Sequence, residues 1–295
     1  MMLALPFPAI DPALFTLDLG VIQFSLRWYA LAYIAGLGLG WWIVTQAMRR
    51  PALWPQATPP MRPAQAEDLL TWMALGVILG GRLGFVLFYQ PGYYAANPVE
   101  ALMVWRGGMS FHGGFLGVVV AVILWSRRNA APLLSVADAV ALATPTGLLL
   151  GRLANFINGE LWGRVSDAPW AMVFPGAGDA PRHPSQLYEA ALEGLLLLAV
   201  LAHLALRSGW LKRPGAITGA FLLGYGLARA FVETFRQADA QFVAPDNPHG
   251  QVLRLGAGPE ALGLTMGQLL SLPMALAGLA LMLWALRAAR PAAAP

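Results

Sequence analysis

Cysteine is missing from all 295 residues. That excludes disulfides, thiolate metal sites and a cysteine nucleophile belonging to this chain, so any thiol chemistry must draw its sulfur from a partner. Charge is scarce as well. Asp, Glu, Lys and Arg make up 12% of the residues, about half the share usual in a soluble globular domain. Lysine is represented by Lys212 alone, so Arg carries nearly all the positive charge. The four histidines, His112, His183, His203 and His249, show no metal-ligand spacing. Neither a metal nor any other cofactor is expected, nor a nucleic-acid partner. The first 26 residues lack a basic n-region and carry Asp11 and Asp18 with Pro6, Pro8 and Pro12. They read as an extramembrane lead-in and not as a cleavable signal peptide.

What is present is apolar, at 58% of residues and a mean hydropathy of +0.58, which points to a bilayer as the main solvent. Seven stretches have the length of a membrane-crossing helix. They lie near Trp28–Gln46, Leu69–Tyr89, Met109–Trp125, Leu133–Leu150, Gln186–Leu206, Ala216–Phe235 and Gln268–Leu286. The expected fold is an all-α integral membrane bundle of about seven transmembrane helices with a periplasmic head loop. It forms one transmembrane domain over 1–295, with an extracytoplasmic loop region at 151–185.

Orientation follows from the basic residues. Short connections and the C-terminal tail hold Arg49, Arg50, Arg62, Arg127, Arg128, Arg207, Lys212, Arg213, Arg287 and Arg290. The alternate connections hold Arg27, Arg106, Arg152, Arg164, Arg182, Arg236 and Arg254 over much more chain. The denser set belongs in the cytoplasm, which puts the N-terminus outside and the C-terminus inside.

This topology sorts the costly polar residues by depth. Tyr225, Arg229 and Glu233 recur every four residues on one face of span six. Gln186, Glu189 and Glu193 lie in the outer part of span five, His112 opens span three, Arg152 ends span four and Tyr29 begins span one. Ionisable groups from five spans meeting at one level mark a site, although Arg229–Glu233 taken alone reads rather as an i,i+4 ion pair bridging helices. Glycines at 80, 81, 84, 107, 108, 113, 114, 117 and 151 accompany them. They suit close helix packing or room for a headgroup beside His112.

Gly151–Arg164 reads GRLANFINGELWGR, with two guanidiniums and two amides suited to a polyol phosphate. This run, with RWYALAY at 27–33, GGRLGFVLFY at 80–89, GMSFHGG at 108–114, HPSQLYE at 183–189, GYGLARAFVETFRQADAQ at 224–241 and TMGQLLSLPM at 265–274, resembles the prolipoprotein diacylglyceryl transferases in order along nearly the whole chain. Ala154 departs from the glycine usual in that family.

The resemblance implies a multi-pass enzyme of the bacterial inner membrane. Such an enzyme transfers diacylglyceryl from phosphatidylglycerol to the lipobox cysteine in the signal peptide of a preprolipoprotein, giving a thioether and glycerol phosphate. On that reading Arg152 and Arg229 hold the phosphate, and Tyr225 supplies a hydrogen bond. His112 fits a general base for the thiol, and nearly as well a capping or headgroup-binding histidine. Asn155, Asn158 and Glu160 would hold the headgroup glycerol hydroxyls or brace Arg152, and Gly163 falls in the same segment. Glu233 orients Arg229, while Tyr29 and Glu189 match the family without a derivable role. Arg82 matches too, but suits equally a structural partner for a buried carboxylate. A transporter with a buried charged pathway is the competing class, and it calls for polar residues at midplane or along a pore.

Overall fold

The structure, a computed structural model, describes residues 5–8, 10–18, 20, 23–256, 258 and 261–288. Arg290 and the terminal Pro–Ala tail lie outside the described residues. The chain divides into two compact units, Met1–Gly40 with Ala141–Pro295, and Trp41–Val140.

Eight helices run in chain order among the described residues: α1 (Trp28–Met48), α2 (Gln65–Phe88), the short α3 (Pro91–Ala96), α4 (Phe111–Arg128), α5 (Leu133–Ile157), α6 (Ser185–Leu206), α7 (Ala216–Val232) and α8 (Met266–Ala288). All seven expected spans are helical. Of these, α1, α2, α5, α6 and α8 are long and apolar enough to cross a membrane. Helix α7 is shorter, at 17 residues, and α4 has 18 and ends on Arg127 and Arg128. Large apolar side chains such as Leu79, Leu83, Phe88 and Leu276 stand exposed on these helices, as lipid-facing residues do in an integral membrane protein.

In the Trp41–Val140 unit, α2 and α4 approach almost backbone to backbone. A Cβ on Gly76 would lie 2.5 Å from the Gly117 carbonyl oxygen, and one on Gly84 would lie 2.8 Å from the Gly113 Cα. Glycines spaced by four on both helices make this contact possible, so Gly113 serves helix packing. Ser110 caps α4, accepting a hydrogen bond from the Gly113 amide at 3.2 Å. Arg82 is buried beneath the segment after α3. Its guanidinium donates to the Ala101 carbonyl at 2.8 Å, to the Glu100 carbonyl at 2.6 Å, and to the carbonyls of Gly107 and Gly108. Its partners are main-chain oxygens and not the buried carboxylate that the sequence suggested.

In the other unit, the lead-in folds instead of trailing. Strand β1 (Leu5–Pro6) pairs in parallel with β4 (Met172–Val173), while β2 (Ala13–Asp18) and β3 (Gln23–Arg27) form an antiparallel hairpin. Phe7 packs between Phe156 and Phe174 at ring separations of 5.3 Å. A third pair, β5 (Gln251–Leu255) with β6 (Leu262–Thr265), leads into α8.

Helix α5 continues to Ile157, so the loop region expected from 151 begins at 158 and runs to 184. Gly151–Ile157 is helical because Leu153, Ala154 and Phe156 continue the apolar pattern. Ala154 and Phe156 are buried there.

Candidate active site

Helix α6 supplies the centre of the site. It opens as an α-helix at Ser185–Glu189, widens to a π-type turn over Ala190–Leu196, and resumes at Leu197. Such widened turns gather at functional positions. Here the wide turn carries Glu193, one turn beyond Glu189, and both carboxylates are fully buried. The neighbouring Gly194 lets α6 close on α5, since a Cβ there would meet the Leu149 Cα at 2.7 Å.

Glu189 is the hub. Arg152 on α5 brings its Nε to 3.2 Å from Glu189 Oε2, while Arg229 on α7 donates from Nη1 to Glu189 Oε1. Arg236, in the segment after α7, donates to that same Oε1 at 2.8 Å. Glu233 lies on the far side of the two latter arginines, 3.0 Å from Arg229 Nη2 and 3.4 Å from Arg236 Nε. It also accepts a hydrogen bond from the Thr265 hydroxyl at 3.2 Å. Gly267 makes room for this carboxylate, because a Cβ there would stand 2.5 Å from Glu233 Cδ.

Three half-buried guanidiniums therefore interleave with three buried carboxylates in one cluster. Buried charge is tolerable in such an arrangement because each group has opposite charge beside it. Arg152 is the most loosely engaged of the three arginines. Its Nη2 is 3.9 Å from Glu193 Oε2, a charge contact and too long for a hydrogen bond. Tyr225 faces Glu193, Arg229 and Arg152, and its ring stacks on Phe221 at 5.9 Å.

A second polar cluster adjoins the loop. Asn155 and Asn158 both donate to Glu160 Oε1, at 2.8 and 3.3 Å, and the Gln186 amide donates to the Glu160 carbonyl. Tyr29 faces Asn155 and Glu160. Glu160 thus braces both amides, and the amide side chains available to a polyol are already ordered.

Gly163 sits behind these residues in a backbone knot. Its amide donates to the His183 carbonyl at 2.8 Å, and it bridges to Arg236. A Cβ would fall 2.7 Å from both the Cβ and the carbonyl oxygen of His183. Arg164 reaches the Arg236 carbonyl at 2.8 Å and His249 Nδ1 at 2.8 Å. His183, whose ring nitrogen meets the Tyr188 hydroxyl at 3.0 Å, is held below its ordinary pKa by burial, with Asp167 opposing. Neutral and partnered, it belongs to the packing of the loop.

Of the expected site residues, Arg152, Arg229, Tyr225, Glu189 and Glu233 share one cluster, and Tyr29, Asn155, Asn158 and Glu160 share another. His112 lies in the Trp41–Val140 unit, exposed in the first turn of α4, with its ring edge-on to Phe111 at 5.6 Å. Sequence reasoning passed over Arg236 and left Glu193 without a role. Arg236 follows Glu233 by three residues and Arg229 by seven, so the helical period was the available signal. The helix ends at Val232, and the turn that follows brings Arg236 back onto Glu189. No group of three or more His, Asp or Glu able to hold a metal ion occurs among the described residues.

A family model described as prolipoprotein diacylglyceryl transferase matches residues 16–284. Among similar proteins, the phosphatidylglycerol–prolipoprotein diacylglyceryl transferase of Ruegeria pomeroyi is 62% identical over 288 residues, covering 95% of this chain and 96% of its own. Proteins of the same name from Rhizobium meliloti and Rhodospirillum rubrum are each 51% identical, over 98% and 100% of this chain and 96% and 99% of theirs. With a polar cluster built from the very segments that carry the likeness, and relatives matched from end to end, the chain belongs to the prolipoprotein diacylglyceryl transferase family.

Proposed function

We propose that this protein is a transferase that moves the diacylglyceryl group of phosphatidylglycerol to the lipobox cysteine thiol of a preprolipoprotein, the first step of lipoprotein maturation. The sulfur attacks the glycerol carbon next to the phosphate, forming a C–S bond as the C–O bond breaks. The electron pair leaves with the phosphate, which departs as glycerol phosphate. The thiol proton goes first to a base, and His112 is our candidate.

One observation carries the reading. Arg152 and Arg229, from different helices, flank the two oxygens of a single carboxylate. A phosphodiester presents a similar pair of oxygens, so guanidiniums spaced for Glu189 are spaced for a headgroup too. Negative charge on the phosphate grows as the C–O bond breaks, and preorganised guanidiniums stabilise the transition state more than the ground state. Asn155, Asn158 and Glu160 offer amide donors and a carboxylate acceptor to the headgroup hydroxyls, with Tyr29 beside them. Gly163 keeps that loop closed, and Glu233 and Tyr225 orient Arg229. The absence of cysteine supports direct transfer to a sulfur brought by the partner.

The enzyme sits in the inner membrane with seven spans, its N-terminus periplasmic and its C-terminus cytoplasmic, and the loop region after α5 faces the periplasm. The transporter reading has no support among the relatives. Incubating the purified protein with phosphatidylglycerol and a lipobox peptide should add one diacylglyceryl group to the peptide thiol by mass. An unmodified peptide under conditions where a relative transfers would refute the assignment.

A further inference from the structure

The charge balance of the Arg–Glu cluster has a consequence for lipid binding. With all groups ionised, Arg152, Arg229 and Arg236 are offset by Glu189, Glu193 and Glu233. A phosphodiester entering this neutral cluster brings an unbalanced negative charge into a buried place, which is strongly disfavoured. One carboxylate must give up its charge as the headgroup arrives.

The three carboxylates are not equally held. Glu189 contacts three guanidiniums, and Glu233 contacts two and accepts the Thr265 hydroxyl. Glu193 is fully buried, and neither of its oxygens has a hydrogen-bond partner among the described residues. The nearest cation is Arg152 Nη2, at 3.9 Å. The groups that face it are Arg152 from α5, Glu189 on its own helix, Tyr225 and Arg229 from α7, and Arg236 beyond α7. Arg152 is also the guanidinium freest to turn toward a phosphate. When it does, Glu193 loses its one close cation while Glu189 stays beside it.

We propose that Glu193 takes up a proton from water as the anionic headgroup binds, so that phospholipid capture and neutralisation of this carboxyl form one coupled step. This rests on the proposed activity and adds a role for a residue outside the phosphate-gripping set. Glu193 is a positioning residue: its neutral form leaves Arg152 to the phosphate.

The test is calorimetric titration of the detergent-solubilised protein with phosphatidylglycerol, in buffers of differing ionisation enthalpy. The phosphodiester stays a monoanion through the neutral range, so protons taken up belong to the protein. The wild type should take up close to one proton per lipid, and its affinity should fall roughly tenfold per pH unit across that window. Uncharged diacylglycerol should bind without proton uptake. Glu193→Gln should bind phosphatidylglycerol with no uptake and a flat pH profile, while Glu193→Asp should restore both.

Phosphatidylglycerol binding by the wild type with no proton uptake overturns the proposal, and that measurement depends on neither variant. Equal uptake by Glu193→Gln, or uptake driven by diacylglycerol, overturns it as well. A protein that binds phosphatidylglycerol with proton uptake yet forms no thioether would sink the proposed activity and leave the coupling intact.

Discussion

At the residue scale, the chemistry depends on guanidinium geometry. Arg152→Ala and Arg229→Ala should each lower thioether formation by on the order of 100- to 1,000-fold, the usual cost of removing one preorganised donor, with the protein still recovered in the membrane fraction. Arg152→Lys should recover little, because an ammonium lacks the planar fork. Wild-type rates in any of these variants would remove the phosphate role. His112→Gln tests the base. Transfer should fall, and a rate like that of the wild type would leave His112 as a helix-terminus residue. Glu189 matters for another reason. Removing its charge leaves three guanidiniums with only Glu193 and Glu233 to offset them, and breaking a buried ion pair costs about 3–5 kcal/mol. Glu189→Gln should therefore melt at a clearly lower temperature in detergent than the wild type.

At the element scale, glycine decides which helices can meet. Gly117 on α4 and Gly163 in the loop have no space for a methyl group, whereas Gly38 on α1 and Gly151 on α5 have nothing within 4 Å of an added Cβ. Gly117→Ala and Gly163→Ala should each cost about 1–3 kcal/mol through overpacking, read as a lowered melting temperature. Gly38→Ala and Gly151→Ala should melt close to the wild type. Equal melting across all four would mean that these contacts do not hold the fold.

The β5–β6 segment has its own electrostatic tie, Arg254 Nη1 at 2.9 Å from Asp246 Oδ2. The hydrogen bond from Arg254 holds the Asp246 carboxyl below its ordinary value. A carboxyl held down in the folded state contributes fully above its ordinary pKa of about 4, and that contribution fades as pH falls through the depressed value. Amide exchange over 251–255, corrected for the intrinsic effect of pH, should show protection at pH 7 that weakens only below about pH 4. Protection that weakened between pH 5 and 7 would assign the tie to a different group.

At the scale of the whole molecule, the absence of cysteine makes the proposed topology easy to test. Single cysteines introduced by Asp167→Cys, between α5 and α6, and by Arg128→Cys, at the end of α4, occupy exposed positions. In intact cells with a permeable outer membrane, an impermeant thiol reagent should label the first and not the second. The reverse pattern would invert the orientation drawn from the arginines.

Much of this architecture was legible in the chain itself, because apolar runs of bilayer length have few alternatives once backbone groups must be satisfied without water. The spacing of four that aligns Tyr225, Arg229 and Glu233, and the spacings of three and four that align Gln186, Glu189 and Glu193, are local, so sequence alone put each set on a single helix face. Other features came from contacts between residues far apart in the chain, which no local pattern encodes. The lead-in strand at Leu5–Pro6 finds Met172–Val173, Arg82 finds main-chain carbonyls after α3, and Arg236 turns back past the end of α7 onto Glu189. Composition and periodicity determined that charged groups would gather among membrane helices. Only the tertiary packing decided which carboxylate each guanidinium holds, because that depends on how closely glycine lets two helices approach and where a widened turn aims its side chain.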